Sequence, residues 1–124
     1  MSTTEKDLLE IERRFWTGGE DYYRDHVDTL CLVAFTEMSG LMSNPDIAAT
    51  VKEGRRWTKL DIDSKGFLQP TGDTAILTYE ARAERATGEP YRAIVSTGYV
   101  RRSDGWKMMF HSQTPLEGAG KPAA

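Results

Sequence analysis

The stretch DGWKMMFHSQTP, residues 104–115, is the last strand-like run of the chain. Successive strand side chains point to opposite faces. Trp106, Met108, Phe110 and Ser112 therefore fall on one side, and Lys107, Met109, His111 and Gln113 on the other. A face that passes from apolar residues to an imidazole and an amide reads as a wall running from packed core into a polar hollow.

The same period of two marks the stretches before it. Residues 73–85 alternate Ala75, Leu77, Tyr79, Ala81 and Ala83 against Ile76, Thr78, Glu80, Arg82 and Glu84. Residues 90–102 put Tyr91, Ala93, Val95, Thr97 and Tyr99 on one side. Residues 56–62 are strand-like, and Ser64-Lys65-Gly66 is expected to bulge or bend before Phe67-Leu68. Turn sequences punctuate these runs: Pro70-Thr71-Gly72-Asp73, Gly88-Glu89-Pro90 and Ser103-Asp104-Gly105.

The N-terminal half is mostly helical in pattern. Over residues 4–16, Leu8, Ile11 and Phe15 repeat at helical spacing, Leu9 and Trp16 widen the stripe, and Gly18-Gly19 stops it. Thr4 with Asp7 is an imperfect capping signal. Residues 20–27 form a second short helix with Tyr22, Tyr23 and His26 on one side. Residues 29–36, TLCLVAFT, are dense in strand formers. Asn44-Pro45 opens a third helix with Asn as cap, Ile47, Ala48 and Val51 give it a face, and Gly54 ends it. Helices first and an antiparallel meander last predict an α+β layer. A long, bent sheet would wrap over the first helix, and its concave face must be filled by side chains or by a ligand.

Length and composition narrow the function classes. The 124 residues suit one domain over 1–124, with 118–124 as a loose tail. Sixteen basic against nineteen acidic residues leave a net charge of −3, which argues against a nucleic-acid or anionic-membrane partner. Arg55-Arg56 and Arg101-Arg102 are too short to reverse that. Cys31 is the only cysteine, so no intrachain disulfide and no cysteine-rich metal site is expected. The acidic start MSTTEKDLLEIE lacks the pattern of a signal peptide. No apolar run approaches the ~20 residues of a membrane span. A reducing cytoplasm is the expected setting.

Three stretches carry a family resemblance: LLEIERRFW in the first helix, GDTAILTYEARAE, and above all the closing RRSDGWKMMFHSQTP. Together they resemble the nuclear transport factor two-like superfamily, nearest its SnoaL-like and ketosteroid-isomerase-like members, over about residues 4–115. The resemblance implies a cone: a curved antiparallel sheet wrapped around N-terminal helices, enclosing a pocket. It also implies a homodimer through the outer sheet face. One scaffold hosts many functions, so it leaves the activity open. The closing strand is also similar to that of the association domain of calcium/calmodulin-dependent kinases. There the equivalents of Tyr79, Thr97 and Gln113 line the central pocket, although the arginines of that family are missing here.

On this reading His111 is the candidate general acid or base, since imidazole titrates near neutral pH. Gln113, Tyr79, Thr97 and Tyr99 supply polar contacts to a ligand, and Trp16, Trp57 and Met109 its apolar walls. Tyr22, with Tyr23 and His26, comes from a lid-like second helix. No acid falls on an inward face by parity. Asp28, Asp61 and Glu80 are the candidates weighed, and Glu80 with Arg82 suits the outer face. His26, His111 and Cys31 lack the spacing of a metal site, and no cofactor is expected. The expected partners are a compact, partly apolar small molecule and a second copy of the chain. Three functions stay open: a small-molecule-binding domain; an isomerase, dehydratase or hydrolase using His111; and a dimerisation module with a vestigial pocket.

Overall fold

A computed structural model describes residues 2–51 and 57–116. Along the chain run α1 (Thr3–Thr17), α2 (Glu20–His26), β1 (Val27–Ala34), β2 (Ser39–Ser43), α3 (Asn44–Ala49), β3 (Trp57–Thr71), β4 (Thr74–Arg85), β5 (Pro90–Arg102) and β6 (Gly105–Pro115). The strands form one sheet in the order β2-β1-β6-β5-β4-β3. The sheet is curved and unclosed, and the helices pack on its concave side, so the α+β cone expectation holds.

Two features depart from the expected meander. The sequence pattern gave no sign of the short strand β2, which pairs antiparallel with β1. The sheet is also mixed, because β1 lies parallel to β6. These two strands are the first and last of the chain. No hairpin joins them, so nothing forces them antiparallel.

The caps show how the helices are placed. Ser2, not Thr4, caps α1, its hydroxyl accepting from the Glu5 amide at 3.1 Å. At the other end a Cβ on Gly18 would sit 2.6 Å from the Arg14 carbonyl oxygen, so only glycine closes the helix this way. Ser43 caps α3. The expected cap, Asn44, instead donates to the carbonyls of Arg24 at 3.0 Å and Val27 at 2.7 Å. It ties α3 to the α2–β1 junction. Gly54, Arg56 and the tail 118–124 lie outside the described residues.

The inward faces of β4 and β5 are as the alternation predicts: Ala75, Leu77, Tyr79, Ala81 and Ala83 are buried, as are Tyr91, Ala93, Val95, Thr97 and Tyr99. The bulge at Lys65 is real: Ser64 faces Tyr79, Gly66 faces Thr78, and β3 continues through it. A second bulge was not anticipated. In β6, Phe110 pairs with Gly98 but Met108 pairs with Tyr99, leaving Met109 as the extra residue. Parity therefore inverts within the strand. Met108 is 3% exposed and joins the core, while Met109 is 37% exposed on the outer side. Met109 is corrected accordingly: it lies on the outer side and is not among the residues lining the pocket under the sheet.

This assignment has a direct check. Met108→Ala should cost about 2–4 kcal/mol by cavity formation, and Met109→Ala under about 1 kcal/mol. Urea denaturation of both variants decides it, and equal losses would contradict the bulge.

Candidate functional site

The deepest feature under the sheet is an acid that strand parity could not reveal. Glu12 is fully buried. It lies on α1 between Leu8 and Phe15, at i+4 and i−3, so it shares their inward stripe. Three hydroxyls from the facing strands converge on it. Tyr79 Oη donates to Oε1 at 2.6 Å, Thr97 Oγ1 donates to Oε1 at 2.9 Å, and Tyr99 Oη donates to Oε2. Trp16 Nε1, one helical turn on, donates to the Tyr79 oxygen at 3.0 Å.

Burial pushes the Glu12 carboxyl above the usual carboxylate range, and the three hydroxyl donors only partly offset this. Burial, followed by the neighbouring Glu12 charge, raises the Tyr79 and Tyr99 phenols well above 10.0. The expectation that no acid points inward is thus overturned. The signal was present in LLEIERRFW: an acid in an apolar helical stripe, with two tyrosines at inward positions of the sheet. It was masked because Glu12 is followed by Arg13-Arg14 and reads as part of a charged run.

From Thr97 the hydrogen bonds continue outward. Thr97 Oγ1 lies 2.9 Å from His111 Nδ1, and His111 Nε2 lies 3.1 Å from Gln113 Nε2. Tyr91 Oη donates to Gln113 Oε1 at 2.8 Å. Burial lowers the His111 pKa to about 4, so the ring is neutral at pH 7. His111 and Gln113 are 9% and 8% exposed, and both reach a pocket.

The remaining pocket wall is largely aromatic and aliphatic. Trp16, Trp57, Phe15, Val33, Ile47 and Met108 supply its buried part. Half-buried Tyr23, Phe35 and Met38 and exposed Thr50 lie further out. The Trp16 and Trp57 rings meet edge-on at 5.3 Å, and Trp57 stacks on Tyr91 at 5.4 Å. The volume open to the centre of a water-sized sphere is about 40 Å³. One water needs about 10–15 Å³ on such a measure.

The expected site residues thus divide. Trp16, Trp57, His111 and Gln113 line the pocket. Tyr79, Thr97 and Tyr99 are inward but sealed behind it, around Glu12. Tyr22 stacks on His26 at 3.9 Å and packs against Phe15. Its neighbour Tyr23 reaches the pocket, with its hydroxyl on the Phe15 carbonyl at 2.9 Å. Val33, Phe35, Met38 and Met108 are pocket residues that sequence reasoning did not single out. Asp28 pairs with Arg102 at 2.8 Å, and Glu80 with Arg82 and Arg92 on the outer face. Among the described residues no group of three His, Cys, Asp or Glu side chains could hold a metal ion.

No family model and no curated protein matches the chain. Solved structures do match, at low sequence identity. A candidate ketosteroid isomerase from Parabacteroides distasonis is 11% identical with a TM-score of 0.72, over 90% of this chain and 86% of its own. A nuclear transport factor two-like protein of unknown function from Prochlorococcus is 13% identical with a TM-score of 0.72, over 95% and 96%. The association domain of C. elegans calcium/calmodulin-dependent kinase II is 13% identical with a TM-score of 0.64, over 90% and 95%. The chain has the nuclear transport factor two-like fold. No helix among the described residues is long and apolar enough to cross a membrane.

The buried imidazole gives stability a pH dependence of definite sign. The unfolded ring titrates near 6.5 and the folded ring at about 4. Between these values the unfolded chain binds the extra proton. The contribution is therefore complete above pH 6.5 and is lost as pH falls towards 4, by up to about 3 kcal/mol. Glu12, raised in the fold, works in the opposite sense: it costs stability as pH rises above 4.5. Urea melts at pH 7 and pH 4.5 should show a smaller acid loss in His111→Gln than in the wild type. Equal losses in the two proteins would rule out His111 as the source.

Proposed function

We propose that this chain is a single small-molecule-binding domain that acts as a homodimer through the outer face of its sheet. The binding reading rests on one observation: an aromatic-walled pocket whose inner end carries two polar side chains, His111 and Gln113. Pockets of this composition bind by apolar burial and orient the ligand through a few polar groups. The open volume of about 40 Å³ favours a ligand of a few heavy atoms up to one small ring. A steroid would need the walls to part. The lone cysteine, Cys31, is a buried thiol pushed up to about 12, mainly by burial. It suits a reducing cytoplasm without requiring one.

The dimer reading rests on a row of residues paired directly across all six strands: Leu41, Leu32, Phe110, Gly98, Ile76 and Leu68. Leu41 is 66% exposed and Leu68 60%, and Leu32 and Ile76 are also exposed. An apolar band of this kind on a solvent-facing sheet marks a surface that is covered in use. That the association domain is among the structural neighbours agrees with self-association.

Acid–base chemistry at His111 is the second reading. It is favoured by a neutral imidazole at the pocket's inner end, hydrogen-bonded through Thr97 to a buried carboxyl group.

Two measurements test these readings. A melting screen with phenol, benzamide and short-chain amides should raise the wild-type midpoint by several degrees through mass action. The gain should shrink in Trp57→Ala. Silence across the panel at millimolar ligand would reject the pocket as a site for ligands of this size. Sedimentation equilibrium should give a dimer that Leu32→Glu with Ile76→Lys converts to a folded monomer. A wild type that stays monomeric at high protein concentration would reject the outer-face interface.

A further inference from the structure

The hydrogen-bond chain behind the pocket has a direction. Tyr91 Oη donates to Gln113 Oε1, which leaves the amide nitrogen to face His111 Nε2. In this orientation the amide nitrogen donates, so His111 Nε2 accepts and carries no proton; the amide and the Tyr91 hydroxyl, which can both turn over, follow whichever tautomer the Thr97 side imposes. The neutral ring then holds its proton on Nδ1 and donates it to Thr97 Oγ1 at 2.9 Å. Thr97 has one hydroxyl proton, which goes to Glu12 Oε1 at 2.9 Å. Every donor in the chain thus points towards Glu12. Oε1 accepts from both Tyr79 and Thr97, so any proton on the carboxyl group sits on Oε2, towards Tyr99. The chain keeps its direction in either charge state.

We infer that Glu12, acting through the Thr97 hydroxyl, holds His111 in the Nδ1–H tautomer. The pocket then ends in a hydrogen-bond acceptor flanked by the Gln113 donor, and selects small neutral molecules that carry a hydroxyl group. A hydroxyl oxygen meets both needs at once: its O–H donates to His111 Nε2 and its lone pair accepts from the Gln113 amide. It enters by replacing the contact between those two side chains, which spans 3.1 Å. A group of the same size without a proton cannot complete the pair. A carboxylate would bring a buried charge to a site whose one basic group among the described lining residues, His111, is neutral. Glu12 and Thr97 are positioning residues in this scheme, and neither touches the ligand. The ligand class rests on the pocket reading proposed above; the tautomer does not.

Nitrogen-15 NMR of the histidine-labelled full chain at pH 7 reads the tautomer directly. The wild type should show a protonated Nδ1 and an unprotonated Nε2 for His111. Glu12→Gln, whose amide oxygen still accepts from Thr97, should keep that pattern, and so should Thr97→Ser. Thr97→Val and Glu12→Met should lose it, giving mixed or inverted tautomers. A wild-type ring protonated at Nε2, or an unchanged pattern in Thr97→Val, would overturn the inference. If Glu12→Met fails to fold, the two Thr97 variants decide it.

The ligand class is tested by titrating the same sample with phenol and with fluorobenzene, which match in size but differ in the O–H. Phenol should move the His111 Nε2 resonance several-fold further. Equal shifts would refute selection for a hydroxyl. No response to either would count against both the ligand class and the pocket reading, while the tautomer pattern would still stand or fall on the variants alone.

Discussion

A carboxyl group without an ion-pair partner among the described residues lies at the centre of this protein, and the rest of the interior is arranged to make that tolerable. Burying an ionised carboxylate costs several kcal/mol. Three hydroxyl donors at about 1.5–3 kcal/mol each can offset that cost. They come from β4 and β5, on neighbouring positions of the inward face, so Glu12 also fixes where α1 sits against the sheet. An apolar residue at position 12 would leave the buried Tyr79 and Tyr99 hydroxyls without their acceptor and Thr97 with only His111 to turn to. One acid on the helix therefore explains why an otherwise alternating sheet face carries Tyr79, Thr97 and Tyr99.

The concave face has two compartments as a consequence. One is closed and polar, around Glu12. The other is open and largely aromatic, walled by Trp16, Trp57 and Met108. His111 stands at the boundary, with Nδ1 on Thr97 and Nε2 towards Gln113 and the pocket. Its neutrality follows from the same burial that raises the carboxyl group. The two groups are linked through one hydroxyl, so on the proposed tautomer the acceptor in the closed compartment sets which ring nitrogen the open one offers a ligand. Neighbours of the same fold at 11–13% identity carry descriptions as different as an isomerase and an association domain. The cone holds a pocket in place, and the chemistry depends on which side chains reach it.

The outer face follows a different rule. Its rows change in character across the sheet. Asp61, Arg82 and Arg92 form a charged row, while Leu68, Ile76, Phe110, Leu32 and Leu41 form an apolar one. Gly98 interrupts the apolar row because Phe110 fills the space above it; an added Cβ there would lie 3.2 Å from the Phe110 Cβ. Met109 joins this face only because the bulge turns it outward.

By itself the sequence determined the α+β class, the three helices, the inward faces of β4 and β5, and that the strand pattern is broken by a bulge or bend at Ser64-Lys65-Gly66, which the structure resolves as a bulge. Each depends on local periodicity or on a turn residue acting over a few positions. It also singled out His111 and Gln113 by their place at the end of an apolar strand face. Only the tertiary structure decided that β1 runs parallel to β6, that β6 skips a residue at Met109, and that Glu12 rather than a strand acid is the buried carboxyl group. Strand direction and register depend on a partner far along the chain, which no local pattern encodes. In the same way, an acid on a helix reads as solvated until three hydroxyls 67, 85 and 87 residues away fold over it.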